Sequence, residues 1–301
     1  MANAGYKRQV ALLLSVLPEV ANESCFALHG GTAINLFVRD MPRLSVDIDL
    51  TYVPVADREA SLAGIAAALE RIKASIEKVV PGVHVAHRKD IGKLLVQAQG
   101  SNIKVEVNLT NRGILAEAVK MTLCGKAQNE FQAFCAVNVV ATGQLYGGKI
   151  CAALDRQHPR DLFDVKYLLA NEGFSEQVKS GFLLCLLSSD RPIKELLAPN
   201  LQDQRAVMNN QFAGMSEEAF SYEEYEAVRT DLVATIRKNL TAEDRQFLLS
   251  VKNLAPDWTI YNFQQFPAIG WKLQNLQRLK DGNPKKHREM YEALEVVLSG
   301  F

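Results

Sequence analysis

No apolar run in this sequence approaches the ~20 residues that a membrane span requires. No charge of one sign prevails either: Lys and Arg total 34, and Asp and Glu total 34. The first absence argues against a helical membrane protein. The second argues against capture of nucleic acid by a bulk basic field, so a nucleic-acid partner has to be held by a local patch. Cysteine is sparse and shows no paired spacing. Cys25, Cys124, Cys135, Cys151 and Cys185 stand in apolar contexts, which reads as buried, reduced thiols in a cytoplasmic protein. The apolar stretch 10–17 is short and lacks a small-residue cleavage site, so no signal peptide is expected. Internal repeats and low-complexity tracts are missing. What remains is an ordinary globular composition, 48% hydrophobic, in a chain long enough for one large domain or two modest ones.

The periodicity divides the chain. Before residue 140 it predicts a helix over 7–20 and another over 57–78. Strands are expected at 25–28, 46–53, 83–87, 93–99, 103–109 and 136–140. From Thr142 onward it predicts helices over 142–155, 161–171, 174–188, 216–238, 242–250 and 284–298, with 192–213 irregular. Ser221-Tyr-Glu-Glu224 has capping-box spacing, and Pro284 suits a first helical turn. The expected class is α+β: a small mixed sheet with flanking helices over 1–140, then a mostly helical domain over 141–301.

Within the first part, Gly30-Gly31-Thr32 follows an apolar run and opens a helix-like stretch ending near Arg39. Such a turn presents free backbone N–H groups at a positive helix end and suits a phosphate. The Thr32 hydroxyl would add a donor. Val46-Asp47-Ile48-Asp49-Leu50 then alternates at strand period, so Asp47 and Asp49 project from one face. Neighbouring carboxylates repel, and a divalent cation would compensate them. Hard oxygen ligands beside a phosphate cradle point to Mg²⁺ or Mn²⁺ holding a nucleoside triphosphate. Glu106 occupies an outward position of a later strand. If that strand neighbours the acidic one, three carboxylates converge in a two-metal arrangement for nucleotidyl transfer; the bland alternative is a solvated strand face. Arg43 and Ser45 precede Asp47 at two-residue steps and share its face. Ser45 joins the nucleotide-binding set, and Arg43 would neutralise the carboxylates or touch a phosphate, or form a structural ion pair with Asp47 or Asp40. His84 and His87 point to opposite strand faces and make no metal pair.

The Gly-Gly, spacer, Asp-x-Asp order resembles the opening of the DNA polymerase β-like nucleotidyltransferase superfamily. The closer resemblance is to AbiEii/AbiGii-type toxin nucleotidyltransferases. It is carried further by Lys104-Val-Glu-Val-Asn108, by the block from Lys149 to Asp164 and by Trp271-Lys-Leu-Gln-Asn-Leu276, and touches residues 25 to 290. It implies that Lys149 contacts the triphosphate and that Asp161 is a site residue, both contributed by the helical domain to the cleft. Asp164 follows as a weaker candidate. Without the resemblance Lys149 is surface decoration, Asp161 is a first-turn acid favoured by the helix dipole, and Arg160 and Asp164 are an i,i+4 pair. The resemblance further implies transfer of a nucleoside monophosphate to an RNA acceptor, the 3′ end of tRNA, and a cognate antitoxin encoded nearby. Transfer to a protein or small molecule, or a silent nucleotide- or antitoxin-binding module, is the alternative. The basic tail residues Lys272, Arg278, Lys280, Lys285, Lys286, His287 and Arg288 would form an RNA-binding face or a solvated helix surface.

Overall fold

A computed structural model describes residues 4–301, which separate into two compact units. Residues up to Ala141 together with Asn209–Ala219 form the first; Thr142–Met208 and Phe220–Phe301 form the second.

The first unit is a mixed sheet with helices. Helix α1 (Ala4–Ala21) buries Val10, Leu13 and Leu17. Strand β1 (Phe26–His29) leads into a short helix α2 (Gly30–Ala33) that continues as a π-type turn through Val38. Then come β2 (Asp47–Tyr52) and α3 (Arg58–Val79). Asp57 caps α3, its side chain accepting from the Ala60 N–H at 2.8 Å. The helix buries Ile65, Leu69, Ile72 and Ile76, a stripe at helical spacing. Strands β3 (His84–Arg88), β4 (Lys93–Ala98), β5 (Ser101–Val107) and β6 (Val119–Thr122), helix α4 (Gly125–Phe131) and β7 (Ala136–Val139) complete the unit. The sheet order is β3-β4-β5-β2-β1-β7-β6, with β2–β5 and β1–β7 parallel and the other pairs antiparallel. Alternation in β5 is as the sequence implies: Ile103, Val105 and Val107 are buried, and Lys104 and Glu106 face out.

The returning segment Asn209–Ala219 is not expected from the local pattern. Its Met215 carbonyl accepts from the Leu44 N–H at 2.7 Å, and the Ser216 hydroxyl donates to the Pro42 carbonyl at 3.0 Å. These contacts brace the loop that delivers β2.

The second unit is helical: α5 (Thr142–Asp155), α6 (Pro159–Ala170), α7 (Glu176–Ser188), α8 (Ile193–Leu197), α9 (Arg205–Val207), α10 (Tyr222–Asn239), α11 (Ala242–Lys252), α12 (Pro267–Gly282) and α13 (Pro284–Ser299). Helices α5 and α7 cross at backbone distance. A Cβ at Gly143, Gly147 or Gly181 would strike the backbone of the opposite helix. Helix α10 begins at Tyr222, six residues later than expected, because Ser221 is the cap and accepts from the Glu224 N–H at 3.1 Å. Helix α12 falls where no helix is expected. All five cysteines are free. Cys135 is buried, burial also pushes up the thiols of Cys151 and Cys185, and Cys25 and Cys124 are partly exposed. Among the described residues, no helix is long and apolar enough to cross a membrane.

Candidate functional site

The acidic strand is the centre of the site. In β2, Asp47 and Asp49 are half-exposed while Ile48, Leu50, Thr51 and Tyr52 are buried. The core therefore takes one face and leaves the carboxylates on the other. Register partners share a face, and three registers meet here: His29 opposite Asp49, Asp49 opposite Glu106, and Glu106 opposite Lys93. His29, Asp49, Glu106 and Lys93 thus form one row across β1, β2, β5 and β4, with Asp47 two residues along the same face.

The strand adjacency expected of Glu106 is present, but a ready-made carboxylate cage is not. Among the described residues, no three His, Cys, Asp or Glu side chains are gathered closely enough to hold a metal ion. The three residues expected to converge stand in neighbouring positions of the sheet, Glu106 directly across from Asp49. The Glu106 carboxylate turns to the Lys93 ammonium, 2.8 Å away. The reason is elementary: like charges lean apart, and Lys93 offers an opposite charge directly across the ladder.

The glycine turn lies against this row. Gly30 has φ +73°, and a Cβ there would collide with the Asp49 carboxylate. Only glycine accepts both the conformation and the proximity. A Cβ on Gly31 would lie 2.8 Å from Arg43 Nη2 and 3.0 Å from Ser45 Oγ. Thr32 is fully buried. Its hydroxyl donates to the Asp47 carbonyl at 2.5 Å and lies 3.0 Å from Ser45 Oγ. Thr32 and Ser45, expected at a phosphate, are thus behind the turn, where they tie it to the acidic strand. Asn35 Nδ2 closes the turn by donating to the Gly31 carbonyl at 2.9 Å. Arg43 is buried and donates to the Leu44 carbonyl at 2.8 Å. Asp40 instead caps α4, accepting from the Lys126 N–H at 2.8 Å.

Lys149 and Asp161 are brought together in the helical unit. Lys149 is 6% exposed, in contrast to the surface position its sequence alone suggests. Its ammonium lies 2.8 Å from Asp161 Oδ1 and 3.0 Å from Asp164 Oδ2. Arg156 clamps Asp161 through Nε at 2.6 Å and Nη2 at 3.0 Å. Pro159 opens α6 after His158, whose Nδ1 accepts from the Arg160 N–H at 3.1 Å, which sets Asp161 in the first turn. Burial alone would raise the Asp161 pKa. Lys149 and Arg156 outweigh it and hold the carboxyl well below the usual carboxylate range. Arg156 is absent from the sequence-derived set; its only signal is a cation at the end of α5, five residues before Asp161. Asp164, a weaker candidate by sequence, holds Lys149 as Asp161 does.

Two of the exposed cations of the basic tail are compensated within their own helix. Arg288 pairs with Glu292 at 2.8 Å and Lys285 with Glu289 at 3.9 Å, both at i,i+4. His287 is buried, its Nε2 3.1 Å from the Lys252 carbonyl.

Against known proteins, residues 11–275 match the family model described as nucleotidyl transferase AbiEii toxin, type IV TA system. Among solved structures, MenT4, a nucleotidyltransferase toxin from Mycobacterium tuberculosis H37Rv, superimposes with a TM-score of 0.62 at 14% identity. The likeness covers 91% of this chain and 95% of that one, and at that identity it concerns the fold. No curated protein sequence matches.

Proposed function

Since the chain belongs to the AbiEii nucleotidyl transferase toxin family of type IV toxin–antitoxin systems, we propose that it transfers a nucleoside monophosphate from an NTP to the 3′ end of an RNA, a tRNA in the first instance. The observation that carries the reading is the row in which Asp49 and Glu106 stand in register, with the Gly30 backbone against Asp49.

In this reading the Gly30–Thr32 backbone amides cradle the β- and γ-phosphates. Asp47 and Asp49 are hard oxygen donors of the kind that would hold Mg²⁺, with Mn²⁺ as the alternative, and Glu106 would join them on turning away from Lys93. Such an ion, when bound, lowers the pKa of the attacking hydroxyl and offsets charge on the triphosphate. The acceptor oxygen forms a bond to the α-phosphorus. The bond from that phosphorus to the α,β-bridging oxygen breaks, pyrophosphate leaves with the electron pair, and the hydroxyl proton passes to solvent. Thr32 and Ser45 hold the turn on the strand and so position the amides. Lys149 has three N–H donors. Asp161 and Asp164 engage two, which leaves the third for a phosphate oxygen. Asp161, fixed by Arg156, is the positioning residue for that ammonium. The family further implies an antitoxin partner.

The test is incubation of the purified protein with Mg²⁺, total RNA and each labelled NTP in turn. Label in a tRNA-sized band with one or a few NTPs is expected. Label confined to protein or to small molecules would replace the acceptor. For Lys149, NTP affinity by calorimetry is read beside turnover: Lys149→Ala should lower both, and Lys149→Arg should restore part, since an arginine keeps the charge but cannot serve as a base. Unchanged NTP affinity in Lys149→Ala removes Lys149 from the triphosphate.

A further inference from the structure

The helical unit contains three lysines with almost no exposure: Lys149 at 6%, Lys179 at 4% and Lys252 at 5%. Two are caged by acids. Lys149 has Asp161 and Asp164; Lys179 lies 2.9 Å from Glu176 and 3.2 Å from Asp244. The Lys252 ammonium has no acid and no hydrogen-bond acceptor among the described residues. Its charged neighbours are two more cations, Lys272 and Lys194; burial first, then these two, push its pKa down to about 8. Lys272 donates to the Ser189 carbonyl and has one acid nearby, Asp190. Arg191, at the same rim, is already paired with Asp155 at 2.7 Å.

These lysines line a pocket of about 200 Å³ among the end of α7, α8, α11, α12 and α13. The rest of its wall is mostly apolar, including Leu276, Leu279, Leu294 and the indole of Trp271. An ammonium held half-buried against an apolar wall without a counter-charge is costly. Three cations around an apolar cavity, with one nearby acid, therefore ask for an anion that also carries an apolar, flat body. We propose that this pocket binds a nucleotide unit, its phosphate on Lys252, Lys272 and Lys194 and its base against Trp271. The unit comes either from a free mononucleotide or from an RNA strand. Lys272 belongs to the basic tail read above as an RNA-binding face, while none of these residues is among those assigned to the transfer step itself.

The chain has two tryptophans, so in a Trp258→Phe background the fluorescence reports on Trp271. That protein is titrated with 5′-AMP, with inorganic phosphate and with a twelve-nucleotide single-stranded RNA lacking a terminal phosphate. A saturable signal with AMP or RNA is expected, weakened at least tenfold by Lys252→Met and about threefold by Lys194→Gln. The second variant decides if the first fails to fold. Tighter binding of the RNA assigns the site to a strand; binding of AMP alone assigns it to a free nucleotide. Flat titrations with all three probes, or equal affinities in the lysine variants, overturn the proposal. Inorganic phosphate binding as tightly as AMP overturns the contribution of the base. The same titrations in Asp49→Ala should be unchanged, so loss of transfer and loss of this site are separately visible.

Discussion

The Lys149 cluster and the acidic face of β2 treat charge in opposite ways. In the first, two cations, Lys149 and Arg156, meet two carboxylates, Asp161 and Asp164, at 2.6 to 3.0 Å, and both acids are buried. The cluster is neutral within itself. On β2, Asp47 and Asp49 share a face with Glu106 beside them, and Lys93 compensates Glu106. A self-compensated cluster holds helices in place and loses stability when one member is removed. Where acidic side chains share one strand face, removing one relieves their mutual repulsion, and site residues commonly trade stability for function in this way. The Lys252 pocket belongs with the second kind, with the sign reversed.

The largest expected effect tests this contrast on β2. Asp49→Ala should abolish transfer, by roughly a thousandfold or more if the carboxylate holds the catalytic ion. The melting temperature measured without added metal should stay the same or rise. An incorporation assay and a thermal melt on the same preparation check both halves. A variant that still labels RNA sinks the assignment of Asp49, and one that melts well below wild type places Asp49 with the self-compensated group.

The opposite outcome is expected of Asp161→Ala. It strips one acid from a cluster in which Lys149, Asp161 and Asp164 are buried and Arg156 reaches the surface, and the buried Lys149 ammonium keeps Asp164. Removing one partner of a buried pair costs about 3–5 kcal/mol, to be read from urea unfolding. The pH dependence follows from the same carboxylate. Its folded pKa is depressed, so its stabilisation is fully present above the unfolded carboxylate value. It is lost as pH falls below about 4 toward the folded pKa. The wild-type curve should therefore fall toward that of Asp161→Ala in acid. A constant gap between the two proteins from pH 7 to pH 3 would contradict the compensated cluster.

What could be read from the sequence follows from where the information lies. The acidic strand and the glycine turn are local: parity alone puts Asp47 and Asp49 on one face, and the alternation around Glu106 turns it outward. The partner of Glu106 depends on register with β4, which no spacing reveals. Strand β6 is missed because its alternation, Val119-Lys120-Met121-Thr122, runs for only four residues and buries none of them. Helix α12 is missed because Gly270 interrupts a stripe in which only Ala268, Ile269 and Leu276 are buried. The Lys149 cage joins residues twelve and fifteen apart on two helices, and only the crossing of α5 with α7 through Gly143, Gly147 and Gly181 accompanies its burial. Lys252 is the least legible. A lysine in the last turn of a helix suits the dipole, and nothing in Phe247–Lys252 says that it points into a cavity.

The smallest effect, and the one opposite in sign to Asp161→Ala, is expected of Lys252→Met. The methionine keeps most of the side-chain volume and removes an uncompensated ammonium, so the ligand-free protein should become more stable at neutral pH. The folded pKa of about 8 lies below the ordinary lysine value of 10.5. Below pH 8 the lysine is charged in both states and the cost of burying that charge is fully present. Between pH 8 and 10.5 the folded protein sheds the proton while the unfolded chain keeps it, so wild-type stability rises with pH. Above 10.5 the gain is complete. The advantage of Lys252→Met should therefore be at most roughly 3 kcal/mol at pH 7 and should shrink as pH rises through that window. Paired urea titrations at pH 7, 8.5 and 10 read it, because the titrating groups other than the neighbouring Lys272 and Lys194 are common to both proteins. A variant that is less stable than wild type at pH 7 would mean that Lys252 is compensated after all, and the contrast between the two kinds of buried lysine would fall with it.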